Sequence, residues 1–160
     1  MFSKINSCAV IGLDCERVEV EKDISPGIFN VIVVGLPDTA VQESKERVKS
    51  AIKNSGANFP ATRTTINLAP ADIKKEGPAY DLPIAIGILS ASRQIEIEAE
   101  IAGSLFVGEL ALDGKLRHTN GILPVTLFAK EKNYKRIFVP KVDEFEAGLV
   151  EGIEIIPVES

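Results

Sequence analysis

The sequence predicts an α/β (α+β) domain in which a mixed sheet packs against about three helices. Two observations support this fold class. Short β-branched segments alternate with segments of helical period, and Asp113-Gly114 stands between two apolar runs as in a β-hairpin. A hairpin requires antiparallel pairing, whereas strands separated by helices favour parallel pairing. The 160 residues fit one domain, because domains of about 100–200 residues are common.

The first elements are predicted from β-branched content and turn residues. Two strands, Ser7 to Leu13 and Arg17 to Ile24, are joined by a turn near Asp14. Ser25-Pro26-Gly27 forms the next turn. The apolar run Phe29 to Val34 predicts a short strand that is buried on both faces.

The clearest helix runs from Thr39 to Ser55. Asp38 is a good N-cap for it, and Gly56 is a natural C-terminal stop. Helical spacing separates an apolar face from a charged face, formed respectively by Val41, Val48, Ala51 and Ile52, and by Glu43, Glu46, Lys49 and Lys53.

The middle of the chain predicts a strand, a loop and a buried helix. Thr62 to Leu68 alternates as a strand does, and Ala69 to Tyr80 is rich in proline and charge, as loops are. Asp81 can cap a second helix, Leu82 to Ser92, whose first turn tolerates Pro83. This helix is apolar nearly all round, so we expect it to be buried.

The last third contains the hairpin and one more helix. Leu105 to Leu110 and Lys115 to Arg117 are the two hairpin strands. A third helix, Ile122 to Lys132, and two further strands, Arg136 to Val139 and Ile153 to Val158, complete the prediction. Because the chain ends at Ser160 directly after an apolar strand, we expect it to be a domain of a longer protein.

The composition is that of a globular protein. Hydrophobic residues make up 45% and charged residues 26%, and the net charge of -5 works against non-specific binding to nucleic acid. The two cysteines, Cys8 and Cys15, indicate buried thiols in a reducing compartment, and a bridge between them stays open. No signal peptide and no run of about 18 apolar residues is present, so we expect a cytoplasmic protein without a membrane segment.

Three short motifs resemble ligand sites and are better explained by structure. In the stretch from Gly108 to Leu116 the glycines have the wrong spacing for a phosphate-binding loop, and Leu116 stands where a hydroxyl is required. At Gly35-Leu36-Pro37-Asp38 the Asp38 carboxylate would repel an anion from the helix start. His118 has no partner at a metal-binding or catalytic spacing, and we assign it no role.

Two basic clusters could contact nucleic acid or an acidic partner. Lys45, Lys49 and Lys53 form a stripe along the first helix, at i, i+4 and i+8. The second cluster consists of Lys130, Lys132, Lys135 and Arg136. The alternative, favoured by the net charge, is a solvated surface on which Glu43 and Glu46 offset the lysines.

Three long segments carry a family resemblance. They are VGLPDTAVQESKERVKSAIKNSG from Val34, TINLAPADIKKEGPAYDLPIAIGIL from Thr65 and GELALDGKLRHTNGILP from Gly108. In this order they resemble the N-terminal, Lon-protease-like domain of the Mg-chelatase-related AAA+ ATPases, the ComM/YifB type related to ChlI. The resemblance implies the fold of the Lon proteolytic domain, which a domain of a small-subunit ribosomal protein shares.

The same resemblance indicates that the catalytic dyad of Lon is missing. Lon-like proteases carry their serine nucleophile in a Gly-Pro-Ser-Ala-Gly turn, and Ala79 stands at that place in Gly77-Pro78-Ala79-Tyr80-Asp81. Their lysine base follows the hairpin in Gly-Gly-Leu-Lys, and Leu123 stands at that place. Neither side chain can attack or accept a proton.

The resemblance therefore implies a non-catalytic accessory domain. The expected parent carries an AAA+ ATPase domain C-terminal to Ser160, uses ATP and magnesium, and forms a hexameric ring. Its expected role is DNA processing, as branch migration or helicase action in natural transformation. Three alternatives stay open: a domain of a magnesium chelatase ATPase subunit, a divergent Lon-like serine hydrolase, and a stand-alone nucleic-acid binder.

Overall fold

A computed structural model describes residues 1–12 and 14–160 of the chain. Within these residues it contains nine strands: β1 Phe2–Ile11, β2 Asp14–Ser25, β3 Asn30–Val34, β4 Arg63–Ala69, β5 Ser104–Phe106, β6 Glu109–Leu110, β7 Leu116–Arg117, β8 Arg136–Pro140 and β9 Glu154–Val158. The five α-helices in the same ranges are α1 Thr39–Asn54, α2 Asp81–Ala91, α3 Glu98–Ala102, α4 Ile122–Glu131 and α5 Glu144–Gly148, and a short 3-10 turn, Lys141–Asp143, precedes α5.

The strands form a mixed sheet and two smaller sheets. The first sheet has the order β1-β2-β4-β3, in which β1, β2 and β4 are antiparallel and β3 runs parallel to β4. A second sheet of order β5-β8-β9 is wholly parallel. Strands β6 and β7 form a separate antiparallel hairpin. The predicted α/β (α+β) class with a mixed sheet is confirmed.

The N-terminal hairpin is longer than predicted. β1 and β2 pair in register from Phe2 opposite Asp23 to Ile11 opposite Asp14, so the polar residues before Ser7 also belong to the ladder. Asp14 begins β2 opposite Ile11, so the two strands join next to Asp14, as predicted. Leu13, the last residue of the first predicted strand, lies outside the described residues.

The prediction that the run ending at Val34 is buried on both faces was wrong. β3 is the last strand at one edge of its sheet. Helix α1 packs on one of its faces, where Val33 is buried, whereas Val34 is 43% exposed and Phe29, just before the strand, is 44% exposed. Apolar composition alone could not separate an edge strand from a central one.

Helix α1 begins and ends as predicted, but the predicted role of Asp81 was wrong. Asp38 Oδ1 accepts a hydrogen bond from the Val41 amide at 2.8 Å, and Ser55 follows the last helical residue. Helix α2 is buried nearly all round, as predicted. Its N-cap, however, is Tyr80, because the carboxylate of Asp81 points away from the helix end to pair with Arg47 on α1.

The predicted strand from Leu105 to Leu110 divides into two. β5 pairs with β8, and β6 turns away to form the hairpin, with Val107 and Gly108 between them. A Cβ atom at Gly108 would lie 2.7 Å from a methyl carbon of Leu116, so glycine permits this turn. The three long helices were predicted; α3 and α5 were not, because five residues do not establish a helical period.

Two apolar clusters hold these layers together. The larger lies between the first sheet and helices α1 and α2, and includes Ile5, Val20, Val48, Ile66 and Ile84. The smaller lies between the parallel sheet and helices α4 and α5, and includes Leu105, Val125, Phe128, Ile137 and Ala147. Cys8 of β1 belongs to the smaller cluster, so the long hairpin joins both halves of the core.

Candidate functional site

The loop before α2 is held by backbone hydrogen bonds to the segment between β5 and β6. The amide of Gly108 donates to the Ala79 carbonyl at 2.9 Å, and the amide of Leu82 donates to the Gly108 carbonyl at 3.0 Å. The amide of Gly77 donates to Asp38 Oδ2 at 3.0 Å. Three parts of the chain thus fix the position of Ala79 at the start of α2.

A cavity of about 240 Å³ opens beside this loop. Its wall includes Ala79, the only member of the expected Lon dyad that lines it; Leu123, half-buried in α4, does not. The remaining wall is both apolar and acidic, and includes Val10, Glu76, Tyr80, Glu109 and His118. Sequence reasoning placed Ala79 here through the resemblance, but did not identify Glu76, Tyr80 or Glu109.

The lysines and serines that could substitute for a dyad lie elsewhere. Lys75 is buried, and its ammonium group donates to the carbonyls of Gly35 and Pro70. Lys74 is exposed. Ser92 Oγ donates to the Ile88 carbonyl at 2.8 Å, inside its own helix. None of these side chains lines the cavity beside Ala79.

One serine and one lysine do meet inside the first sheet. Ser3 and Lys22 are directly opposite each other on β1 and β2, and both are buried. Ser3 Oγ donates to the Gly87 carbonyl at 2.7 Å, and Lys22 Nζ donates to the Val20 carbonyl at 2.8 Å. Burial lowers the pKa of Lys22 well below its ordinary value. Among the described residues, no hydrogen bond joins the hydroxyl to the amine.

An ion pair between a partly exposed arginine and a buried carboxylate connects α1 to the start of α2. Arg47 Nε lies 2.7 Å from Asp81 Oδ2, and its Nη2 lies 3.1 Å from Oδ1, in the two-pronged geometry that suits guanidinium and carboxylate. Oδ2 also accepts a hydrogen bond from the Leu110 amide at 3.1 Å. Asp81 raises the pKa of Arg47 through this hydrogen bond. The pair fixes the first residue of α2, which lies two positions after Ala79.

The stripe of Lys45, Lys49 and Lys53 lies on the flank of α1 that faces β3. Gln42, on the same flank, donates from Nε2 to the Val33 carbonyl at 3.4 Å. Lys49 Nζ lies 4.8 Å from the centre of the Phe29 ring. Lys45 is half-buried and Lys53 is exposed. The stripe therefore borders the open edge of the first sheet.

An aromatic pair accompanies this basic stripe, and sequence reasoning missed it. The rings of Phe29 and Phe59 meet edge to face, with centres 6.3 Å apart and planes at 68°. Phe29 was predicted in a buried strand and Phe59 in no element, so the sequence did not indicate that the two rings meet or that Phe29 lies beside Lys49. We name Lys45, Lys49, Lys53, Phe29 and Phe59 the basic-aromatic edge.

The second basic cluster has no comparable arrangement. Arg136 pairs with Glu154 at 3.5 Å on the parallel sheet. Lys132 Nζ lies 5.9 Å from the centre of the Phe128 ring in its own helix. Arg136 and Lys132 thus each have a local partner.

His118, to which the sequence assigned no role, is exposed but has a defined partner. Its Nδ1 forms a short hydrogen bond with the buried carboxylate of Asp143, and its Nε2 lies 3.2 Å from Asn120 Oδ1. The hydrogen bond and the charge of Asp143 raise the pKa of His118. Asp143 Oδ2 also accepts from the Thr119 amide at 2.9 Å. The spacing of the two residues gave no signal, because Asp143 lies in a later element.

Three further expectations can be compared with the fold. Gly108 and Gly114 belong to the β6–β7 region, and no helix begins between them, as the hairpin interpretation requires. Cys8 and Cys15 are free thiols. Within residues 1–12 and 14–160, no helix has the length and apolar character needed to span a membrane, and no three His, Cys, Asp or Glu side chains cluster as metal ligands.

Comparisons with known proteins agree with the resemblance in the sequence. Residues 20–143 match the family model of subunit ChlI of Mg-chelatase. The chain is 45% identical to the uncharacterized protein YifB of Escherichia coli, covering 94% of this chain and 29% of YifB. It is 42% identical to the competence protein ComM of Haemophilus influenzae, covering 91% of this chain and 28% of ComM.

A weaker similarity extends to proteases. The chain is 28% identical to Lon protease 2 of Bacillus subtilis, covering 98% of this chain and 31% of the protease. The chain thus spans under a third of the length of each of these relatives.

Proposed function

The chain belongs to the family of subunit ChlI of Mg-chelatase, and from this premise we propose that it is a non-catalytic interaction domain of a longer, ComM-like AAA+ ATPase that processes DNA. In this proposal an ATPase domain follows Ser160, uses ATP and magnesium, and assembles with other subunits as a hexameric ring. The 160-residue domain contributes contacts to DNA or to neighbouring subunits and makes or breaks no bond.

The observation that carries the proposal is the side chain of Ala79. A methyl group lines the cavity where the resemblance to Lon expects an attacking oxygen, and Leu123 offers no base. Loss of the nucleophile from a serine-based site costs about a million-fold in turnover.

The basic-aromatic edge supports a contact with single-stranded DNA. Lysine ammonium groups attract phosphates, and exposed aromatic rings provide surfaces on which bases stack. Phe29 is 44% exposed beside Lys49, and Lys45 and Lys53 extend the positive charge along α1. This local charge contrasts with the net charge of -5, so binding should be confined to this edge.

Fluorescence anisotropy with labelled single-stranded and duplex DNA tests this contact. We expect binding at about 50 mM salt that weakens at about 200 mM, because bound lysines release counterions from the strand. If all three lysines contact phosphate, the Lys45→Ala/Lys49→Ala/Lys53→Ala variant should lower the salt slope for single strands by about 2.

The matched control is Lys130→Ala/Lys132→Ala/Lys135→Ala, which removes the same charge from another surface. The affinity of this control variant for DNA and its salt slope should stay close to those of the unsubstituted chain. DNA binding that is undetectable at about 50 mM salt, or equal in the two triple variants, would contradict a DNA contact at this edge.

A second candidate function is that of a divergent serine hydrolase, and the opposition of Ser3 and Lys22 favours it. Both are buried, and an amine of lowered pKa can act as a base. A fluorophosphonate probe and an unfolded protein substrate test this function. Labelling or cleavage that disappears in Ser3→Ala, but persists in Ser92→Ala, would replace the non-catalytic proposal.

The name of the family favours a third candidate, the ATPase subunit of a magnesium chelatase. The two ATPase roles differ in the substrate of the longer protein. The longer protein should remodel branched DNA in an ATP-dependent reaction if it is ComM-like. Magnesium insertion into a tetrapyrrole without DNA remodelling would assign it to the chelatase role.

A further inference from the structure

The cavity beside Ala79 has the size of a single side chain. Its volume of about 240 Å³ is below the range of about 300–1,000 Å³ that is usual for pockets holding whole small molecules. Apolar walls from Val10, Val107 and Val125 suit an aliphatic chain. Val10 is 46% exposed at this surface, so the cavity has an apolar rim that a partner can cover.

A buried tyrosine whose hydroxyl has no hydrogen bond lines this cavity. Tyr80 is 2% exposed and lines the wall, yet no hydrogen bond among the described residues involves its hydroxyl. Burial raises the pKa of Tyr80, and the nearby negative charges of Asp38 and Glu76 raise it further. Because this hydroxyl has no partner among the described residues, a ligand that bonds to it gains a hydrogen bond without breaking one inside the protein.

The wall of the cavity also carries two carboxylates that have no strong partner. Glu76 lies 3.5 Å from Lys74, but both side chains are 68% exposed, and such exposed pairs contribute little. Glu109 is half-buried and forms no ion pair within the described residues; its charge acts on Arg47 from a distance. Both carboxylates are therefore available to an incoming cation.

The positive groups nearby do not cancel this negative charge. His118 lies in the wall, and any charge on its ring is offset by the carboxylate of Asp143 bonded to it. Arg47 is already engaged by Asp81. An apolar cavity with an acidic wall and a hydroxyl acceptor matches a side chain that has an aliphatic stem and a cationic end.

We propose that this cavity binds a lysine or arginine side chain of a polypeptide partner. The stem lies against Val10 and Val125, and the cationic end lies between Glu76 and Glu109 and donates to the Tyr80 hydroxyl. The site recognises a basic residue presented by an extended segment, and it needs no reactive group at Ala79. It is independent of the DNA contact, which lies on the edge formed by α1 and β3.

Titration of the isotope-labelled chain with blocked tripeptides tests the site by NMR. The probes are acetyl-Gly-X-Gly-amide peptides in which X is lysine, arginine, norleucine or N-acetyl-lysine. Lysine and arginine should shift the methyl signals of Ala79 and Val125 at millimolar concentration. Norleucine and N-acetyl-lysine retain the stem without the charge and should bind about threefold to tenfold more weakly.

Three variants separate this site from a general surface effect. Glu76→Gln/Glu109→Gln should reduce binding of the lysine peptide to the norleucine level, and Tyr80→Phe should weaken it severalfold. Glu46→Gln, which removes an exposed carboxylate of α1, should leave it unchanged. Thermal unfolding followed by circular dichroism shows whether each variant is folded.

Two results would overturn the proposal. The first is equal affinity for the lysine and norleucine peptides, which would mean that Glu76 and Glu109 do not contribute to binding of the cationic end. The second is the absence of shifts at Ala79 and Val125 with every peptide, while the variants remain folded.

Discussion

The ammonium nitrogen of Lys22 lies directly against the backbone of Gly87 in helix α2. A Cβ atom built on Gly87 would lie 2.1 Å from Nζ and 2.2 Å from Cδ of this fully buried lysine. The first sheet and α2 therefore approach each other as closely as they do only because position 87 has no side chain. The glycine here is required for packing, not for its backbone conformation.

Substitution of Gly87 by alanine should destabilise the domain. The added methyl group would overlap the fully buried Lys22 side chain, and overpacking typically costs about 1–3 kcal/mol. Urea denaturation measures this loss. Gly148→Ala is the control, because nothing lies within 4 Å of a Cβ atom at that position. Equal stability of the two variants would contradict the contact.

Replacement of Lys22 by methionine should stabilise the domain and change its response to pH. Burial lowers the pKa of Lys22, so between the lowered value and the ordinary value of about 10.5 the folded chain binds fewer protons than the unfolded chain. The free energy of unfolding of the unsubstituted chain should therefore rise with pH across this interval. In Lys22→Met this contribution should vanish.

Chemical denaturation at several pH values between about 7 and 10 measures this slope. Lys53→Met is the matched control, because its lysine is exposed on α1 and its replacement should leave the slope as in the unsubstituted chain. If the stability of the unsubstituted chain falls as the pH rises over this interval, Lys22 is not held in its uncharged form.

Removal of the Arg47 side chain should destabilise the domain much more than removal of the charge of Glu43, its solvent-exposed partner. Arg47→Ala leaves the buried Asp81 carboxylate without its cation, and breaking such a pair typically costs about 3–5 kcal/mol. Glu43→Gln removes only the 3.6 Å contact on the exposed side of Arg47 and should cost under about 0.5 kcal/mol.

A double-mutant cycle with Asp81→Asn separates the pair from its surroundings. The Arg47→Ala/Asp81→Asn variant should be less destabilised than the sum of the two single variants, because neither group is left unpaired. Additive effects would mean that the pair is not coupled.

His118 should titrate above its ordinary pKa of about 6.5, because Asp143 stabilises the charged ring. In Asp143→Asn the pKa should return toward 6.5. The raised pKa means that the contribution of this pair to stability is present below about 6.5 and is lost as the pH rises through the folded-state value. NMR titration of the ring protons measures both values, and an unchanged pKa in the variant would exclude Asp143 as the cause.

Local patterns predicted the elements whose signals lie within a few neighbouring residues. The cap at Asp38, the period of α1 and the turn at Asp113-Gly114 each depend on short-range geometry, and the structure has them where they were predicted. Sequence patterns gave the wrong prediction where contacts with residues distant in the chain decide the role of a side chain. Asp81 looks like a cap in the sequence, but it is drawn to Arg47, 34 positions earlier in the chain.

The same distinction between local patterns and tertiary contacts applies to the residues of the candidate sites. The resemblance placed Ala79 and Leu123 at the positions of a dyad, and the helical period placed Lys45, Lys49 and Lys53 on one stripe. Nothing in the sequence indicated that Glu76, Tyr80 and Glu109 line one cavity, because they come from a loop, a helix cap and a strand.

The sequence by itself determined the class of fold, the capped helix α1 and the buried helix α2. These properties follow from residue type and spacing along the chain. Only the tertiary structure decided that Phe29 lies exposed beside Lys49, and that a buried lysine requires a glycine in the helix above it. Such relationships join residues distant in sequence, and packing alone brings them within a few ångströms of each other.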